Sequence, residues 1–399
     1  MLRLVFGPDT LTSLHSDCRL RISNMQVTGR GFVFDVAGRS MSEQVAFFDG
    51  LCRLRSGNWL CGFSLGDKKH AVDGTIRLCR APASGEVWEE IPFRFENHWH
   101  GVPGSLAGAE CVEIEPGRLL LFTTWFDRSE PERPLFDPET EGVLHSKLLV
   151  AESADEGITW SAWRELPNFD LTGLALTGPP LLWSDGSLGL AFESYRHYDD
   201  PNPAHHAAWL VISRDGGNTF PQRFRVAQDP THQIYYWDQR LCATRVPGEF
   251  LGLFWTHDLT AKKDLPVHVL RGSIHDGPTA RQLPAATTIP GQIAAPLLLD
   301  DGRILGFAVD RHRPGTLTLW QSRDGGRTWP EAVTVHVHEE RAALTQGQEQ
   351  IDFKQYWEDM GKWSFGHPAA RLMNQQEVLL TFYAGPPNHL SVHWAKVTI

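Results

Sequence analysis

The chain has 399 residues, with 37 Lys and Arg set against 48 Asp and Glu for a formal charge of −11. That balance offers no field to gather phosphates, and Lys68-Lys69 and Lys262-Lys263 are isolated basic pairs, so no nucleic-acid and no anionic-membrane partner is expected. An apolar content of 41% with 15 Trp and 21 Phe permits a large core and excludes a disordered chain.

In chain order, the opening MLRLVFGPDT has too short an apolar run for a secretory leader, and no later run is long enough to span a membrane. Cys18, Cys52, Cys61, Cys79, Cys111 and Cys242 are scattered without a CxxC pair. Reduced thiols, a cytoplasmic setting and no metal or cofactor are therefore expected.

Six hairpins follow, each a short apolar strand, a turn that is mostly Gly-based and another apolar strand. They cover residues 51–63, 111–122, 180–192, 241–254, 296–307 and 368–382. Three of them are followed by one octapeptide: Ser153 to Trp160, Ser213 to Phe220 and Ser322 to Trp329, with the common form S-x-D-x-G-x-T-[W/F]. In a tight turn the Ser and Asp bond nearby backbone N–H groups, Gly supplies a positive φ, and Thr with its aromatic neighbour opens the next strand. A weaker copy runs from Ser273 to Thr279, and a remnant from Ala83 to Trp88.

A hairpin, a third strand, the Asp-containing turn and a fourth strand make one four-stranded sheet, and radial repetition of such sheets is a β-propeller. The expected fold is all-β: a single six-bladed propeller over 1–399, with antiparallel blades near 45–100, 105–170, 175–230, 235–285, 290–345 and 360–399. The last blade is one strand short, and an N-terminal strand near 18–27 is expected to complete it and close the ring.

The octapeptide resembles the Asp-box, or bacterial neuraminidase repeat, of the sialidase superfamily, and the six-blade register is similar to that family's propeller over nearly the whole chain. The resemblance implies that these turns lie away from the substrate, and that the site is built at the opposite rim, from the starts of first strands and the ends of second strands. It also implies an Arg triad for a substrate carboxylate, an Asp acid/base and a Glu that activates a nucleophilic Tyr. Asp67 stands near the acid/base slot and Asp238 near the Glu slot. Phe48-Asp49-Gly50-Leu51 replaces the blade-one Arg motif, His367-Pro368 stands where the family has Tyr-Pro, and Trp255-Thr-His257-Asp258 carries no Arg.

From the residues themselves, Asp238 and Glu110 are the candidate catalytic carboxylates, since glycoside hydrolysis ordinarily uses two in different protonation states. Asp67 is a possible acid. His367 and His257 are candidate general acid/base groups. Arg196, Arg240 and Arg311 are candidate anion-binding groups, with Gln292, Trp237, Trp363 and the Trp99-flanking pair His98 and His100 as further sugar contacts. The i, i+2 spacing of His98 and His100 would also suit a metal, but no third ligand accompanies them. Tyr356, in the long connection into the sixth blade, is a possible stand-in for the family's nucleophile. The resulting expectation is a sialidase-like glycoside hydrolase acting on a small oligosaccharide or glycoside. The alternatives are a polysaccharide lyase or other His-centred carbohydrate enzyme, and a non-catalytic sugar-binding or protein-interaction propeller. The sequence leaves the sugar and the oligomeric state open.

Overall fold

The computed structural model describes residues 25–137, 139–203, 205–312, 315–338, 355–356 and 360–399. Six antiparallel sheets stand around a common axis. Blade one is Val45–Arg53, Trp59–Gly66, Thr75–Ala81 and Glu89–Glu90; blade two is Gly104–Glu115, Arg118–Asp127, Ser146–Ser153 and Arg164–Glu165. Blade four runs Ile234–Ala243, Glu249–Asp258, Lys263–Ser273 and Ala285–Ala286, and blade five runs Ala294–Leu298, Ile304–Asp310, Gly315–Ser322 and Glu331–His338. In blade three the inner strand is split into Leu174–Leu176 and Leu181–Leu182 ahead of Leu188–Ser194, Ala207–Ser213 and Gln222–Ala227. Pro179 and Pro180 fall in the break, where proline has no N–H to give a ladder.

Blade six has three strands late in the chain, Phe365–Leu372, Glu377–Ala384 and Ser391–Thr398, and its outer strand is Gln26–Phe34. That strand begins eight residues later than the sequence reading placed it. Its exposure alternates along most of its length, as a half-buried outer strand must, and it pairs from Gln26↔Thr398 to Phe34↔Val392. Cys18 lies outside the described residues; Cys52, Cys61, Cys79, Cys111 and Cys242 are free thiols.

The three octapeptides form the same turn. In the second, Ser213 Oγ donates to Asp215 Oδ1 at 2.7 Å and accepts from Gly217 N at 2.9 Å, while Thr219 N and Oγ1 donate to Asp215 at 2.9 and 2.6 Å. Gly217 needs its φ of +84°, and a Cβ there would sit 2.3 Å from Leu120 of the neighbouring blade. The aromatic residue is anchored: Trp160 and Trp329 each donate their indole N–H to the turn glycine's carbonyl at 2.9 Å. The remnant at Ala83–Trp88 keeps this last bond, Trp88 to Gly85 at 3.1 Å, without the Asp. The weak copy in blade four departs further, forming a 3-10 turn over Ile274–Asp276.

Candidate active site

Four inner strands are interrupted by a bulge: between Phe47 and Gly50, Ala107 and Glu110, Trp237 and Arg240, and Gly366 and Ala369. Each bulge opens on a residue of positive φ: Phe48 at +53°, Gly108 at +76°, Asp238 at +50° and His367 at +52°. For an L-residue that conformation costs about 1–2 kcal/mol. Three non-glycine residues held there on one rim mark a place where the fold spends stability on aiming side chains.

The bulges bring charge to the axis. Arg240, 1% exposed, stands 4.0 Å from both Glu110 Oε1 and Asp238 Oδ1 and donates to the Pro368 carbonyl at 3.4 Å. Asp49 is completely buried; burial pushes its carboxyl up to about 8, with Thr381 and Arg240 pulling the other way. Burial likewise raises Glu110 to about 7 against the pull of Arg240. Gly50 makes room for this crowding, since a Cβ there would lie 2.3 Å from the Ala109 carbonyl and 2.7 Å from the Glu110 carboxylate.

Glu193, at the upper end of blade three's second strand, is also buried. Its Oε1 accepts from Gln239 N at 3.0 Å and its Oε2 accepts from the Tyr195 hydroxyl at 2.5 Å. Burial and the nearby Asp238 charge raise Glu193, and burial raises Asp238. Two adjacent carboxyls in low dielectric cannot both ionise readily, so the pair holds a proton more firmly than an exposed carboxylate does. The two donors on Glu193 favour its charged form, while Arg240 and Arg311 favour that of Asp238.

His367 donates through Nδ1 to the Asp49 carbonyl at 2.9 Å, a tautomer assigned from that bond. Burial, then the Arg240 charge, lower its pKa well below the usual imidazole value. The ring is therefore neutral, with Nε2 left as an acceptor. Asp238, Tyr195, His367, His70 and Trp237 share one cavity of about 80 Å³, roofed by Leu135, Phe136 and Met360. Trp237 stacks on Trp255 at 4.1 Å and 23°. No Arg or Lys lines this cavity among the described residues.

A second buried acid, Asp264, organises the ground behind it. It accepts from Trp255 Nε1 at 2.8 Å, His257 Nδ1 at 2.9 Å, the Tyr356 hydroxyl at 2.7 Å and Gln292 Nε2 at 3.1 Å. Burial would raise its pKa, but the bonds from His257, Trp255 and Tyr356 hold it below the ordinary carboxylate value.

No family model matches the sequence, and no curated protein matches it. Solved structures do. A protein of unknown function from Dyadobacter fermentans DSM 18053 superposes with a TM-score of 0.69 at 15% identity, covering 94% of this chain and 99% of that one. The intramolecular trans-sialidase of Ruminococcus gnavus, in complex with oseltamivir carboxylate, gives 0.63 at 12% identity over 92% and 97%. The Hadza microbial sialidase Hz136 gives 0.61 at 16% identity over 93% and 68%. The fold is that of the sialidases.

Within this sialidase fold the residues singled out from sequence separate into three groups. Asp238, Glu110, Arg240, Arg311 and His367 converge near the axis, as the rim topology requires, and Trp237 joins them on the cavity wall. Arg311 is 1% exposed and lies over the Trp363 ring at 4.1 Å; both are packed beneath the site, so Trp363 has no free face for a sugar. His257, Gln292 and Tyr356 form the second group. They are 0% exposed and tied to Asp264, and none of them lines the cavity of Asp238 and His367, where His257 was expected as a general acid/base group and Gln292 and Tyr356 as substrate contacts.

The third group lies elsewhere. Asp67 is exposed beyond the end of its strand and lines none of these walls. Arg196 donates to the Asn202 carbonyl in its own loop and is not joined to Arg240 or Arg311. His98 and His100 are exposed in a separate surface groove with Trp99, Trp160 and Trp163. Their strand is in fact a tight turn closed by the Trp99–Val102 pair, with His100 at φ +50°, so they do not share a strand face. Among the described residues no group of three His, Cys, Asp or Glu could hold a metal.

Proposed function

We propose that the chain is a glycoside hydrolase of sialidase type in which Tyr195 is the nucleophile, Glu193 its base and Asp238 the acid/base. The 2.5 Å bond from the Tyr195 hydroxyl to Glu193, in a cavity that also holds Asp238, carries the reading. In the first step Tyr195 Oη attacks the anomeric carbon and its proton passes to Glu193, while Asp238 gives its proton to the departing glycosidic oxygen. In the second, the Asp238 carboxylate takes a proton from water, the resulting hydroxide displaces the tyrosyl ether, and Glu193 returns its proton to Tyr195. The mechanism starts with one proton on the Glu193 and Asp238 pair, carried by Asp238.

The remaining wall supports sugar binding. Trp237, backed by Trp255, offers an apolar platform for a ring face, and His367 Nε2 accepts from a hydroxyl. The cavity is below the roughly 300–1,000 Å³ of ordinary ligand sites, so the Leu135–Phe136 roof moves aside when a substrate enters. The absence of Arg and Lys from the described wall argues against a carboxylate held inside the cavity, and so against a lyase, whose base would be His367. The free cysteines suit a reducing, cytoplasmic setting.

A screen of aryl glycosides tests the proposal, with wild type beside Tyr195→Phe and Asp238→Asn. We expect Tyr195→Phe to lower kcat by about 10³-fold or more. Asp238→Asn should fail on poor leaving groups and, with dinitrophenyl glycosides, whose departure needs no proton, give a burst of dinitrophenol followed by slow turnover, because the second step lacks its base. An unsaturated product absorbing in the ultraviolet would replace this reading with the lyase. Sugar binding without any cleavage would leave a non-catalytic propeller.

A further inference from the structure

Next to the inner cavity, across a wall made by His70, Leu135 and Phe136, lies a larger vestibule of about 500 Å³. Its lining carries Lys68, Lys69, Arg128 and Arg133 against Glu132 and Asp137, a basic surplus in a chain whose total charge is −11. Arg133 is neutralised by Glu130 and Asp199 at 2.9 and 3.3 Å. Asp137 is occupied with capping its own turn, accepting from Glu139 N and Thr140 N at 2.7 and 2.8 Å.

The other cations have no such partner. Arg128 is 4% exposed, and its guanidinium donates only to neutral oxygens, Ser105 Oγ at 2.8 Å and the His70 carbonyl at 3.2 Å. Lys69 is 7% exposed and donates to the Tyr383 hydroxyl at 2.9 Å and the Met360 carbonyl at 3.3 Å. Neither has a carboxylate within 4.0 Å among the described residues. Buried charges are ordinarily paired, because leaving water uncompensated is costly. Two of them on one cavity, with exposed Lys68 at its mouth, describe a site short of one anion. The cost is visible in both groups: burial lowers Arg128 to about 10 and Lys69 well below its ordinary value.

We infer that the vestibule binds an oxyanionic group, phosphate, sulfate or carboxylate, through Lys68, Lys69 and Arg128, and that the substrate carries this group on the part that projects from the inner cavity. The word substrate rests on the glycoside hydrolase reading; the anion site does not. An anion here neutralises the buried cations without entering the apolar chamber, so charge recognition and chemistry are separated across the His70–Phe136 wall.

The test titrates the full chain with inorganic phosphate and with sulfate, following tryptophan fluorescence and melting temperature, against chloride at equal ionic strength. Wild type should show a saturable response. Lys69→Met should weaken it about tenfold or more, the loss of one charge-assisted bond, and Lys68→Ala, at an exposed position that the fold does not need, should weaken it measurably. A response that rises without saturation and is equal in wild type and both variants is the general stabilisation by such salts and overturns the inference. Saturable phosphate binding in a protein that cleaves no glycoside would sink the hydrolase reading and leave the site standing. Cleavage of neutral glycosides, with phosphorylated, sulfated and carboxylated counterparts no better and no saturable phosphate binding, would do the reverse.

Discussion

Asp49 illustrates how a residue can be dictated by its surroundings and yet cost stability. It follows a positive-φ Phe48, gives its carbonyl to His367 and has its carboxyl sealed at the axis, raised to about 8. Unfolded, the same group titrates near 4. Between those values the native state holds a proton that the unfolded chain has released, so this group's contribution declines as pH rises through that window and is level above about 8. Urea midpoints measured from pH 5 to 8 should therefore fall more steeply for wild type than for Asp49→Asn; parallel slopes would mean that the carboxyl is ionised in the fold. Glu110, raised to about 7, adds to the same trend in both proteins. At this scale the sequence was half legible. Asp238, Glu110 and His367 could be placed because each opens a first strand beside a recognisable hairpin. Glu193, Lys69 and Asp264 could not: each looks like a solvated charge beside Ser194, Lys68 or Lys263, and only the closing of the ring buries it. Neither Tyr195–Glu193 nor His257–Asp264 has a spacing that distinguishes a buried bond from chance.

At the scale of the element, the octapeptide turns fix where one blade meets the next. Asp215 and Asp324 are held near 2, Asp215 chiefly by the Thr219 bonds, and Asp324 by those of Thr328 despite its burial; such carboxylates favour the fold above their unfolded pKa and lose that contribution as pH falls through about 4 to 2. The turn glycine is the stricter requirement. Gly217→Ala places a methyl group against Leu120 in a backbone conformation that L-residues avoid, and should destabilise the chain by about 2 kcal/mol, read as a lowered urea midpoint with an unchanged slope. An unaltered midpoint would show that the turn relaxes freely. These turns were fully legible because their chemistry is local, within eight residues. The blade-one remnant and the blade-four variant were less so: the first keeps the Trp88–Gly85 bond without the Asp, and the second is a 3-10 turn in which Ser273 Oγ accepts from His275 N.

The whole molecule is held by closure. Gln26–Phe34 joins the two ends of the chain in one sheet, covering the edge of Ser391–Thr398. Deleting residues through Phe34 should expose that edge and the half-open sixth blade, giving a lower melting temperature and self-association in size-exclusion chromatography; a monomer of unchanged stability would contradict the role. Six hairpins announced the ring, whereas the position of the closing strand was misjudged by eight residues, because a strand whose partner lies some 370 residues away has no local signal of its register. Closure also puts first-strand bulges from blades one, two, four and six around one channel, and the proposed chemistry depends on that convergence. The measurement that tests it most directly is intact-mass and peptide analysis after exposing the wild-type chain to activated fluoro-glycosides that form stable intermediates. The structure predicts a glycosyl adduct on Tyr195, absent in Tyr195→Phe. Turnover of the same glycosides with no adduct at Tyr195, undiminished in Tyr195→Phe, would contradict the account.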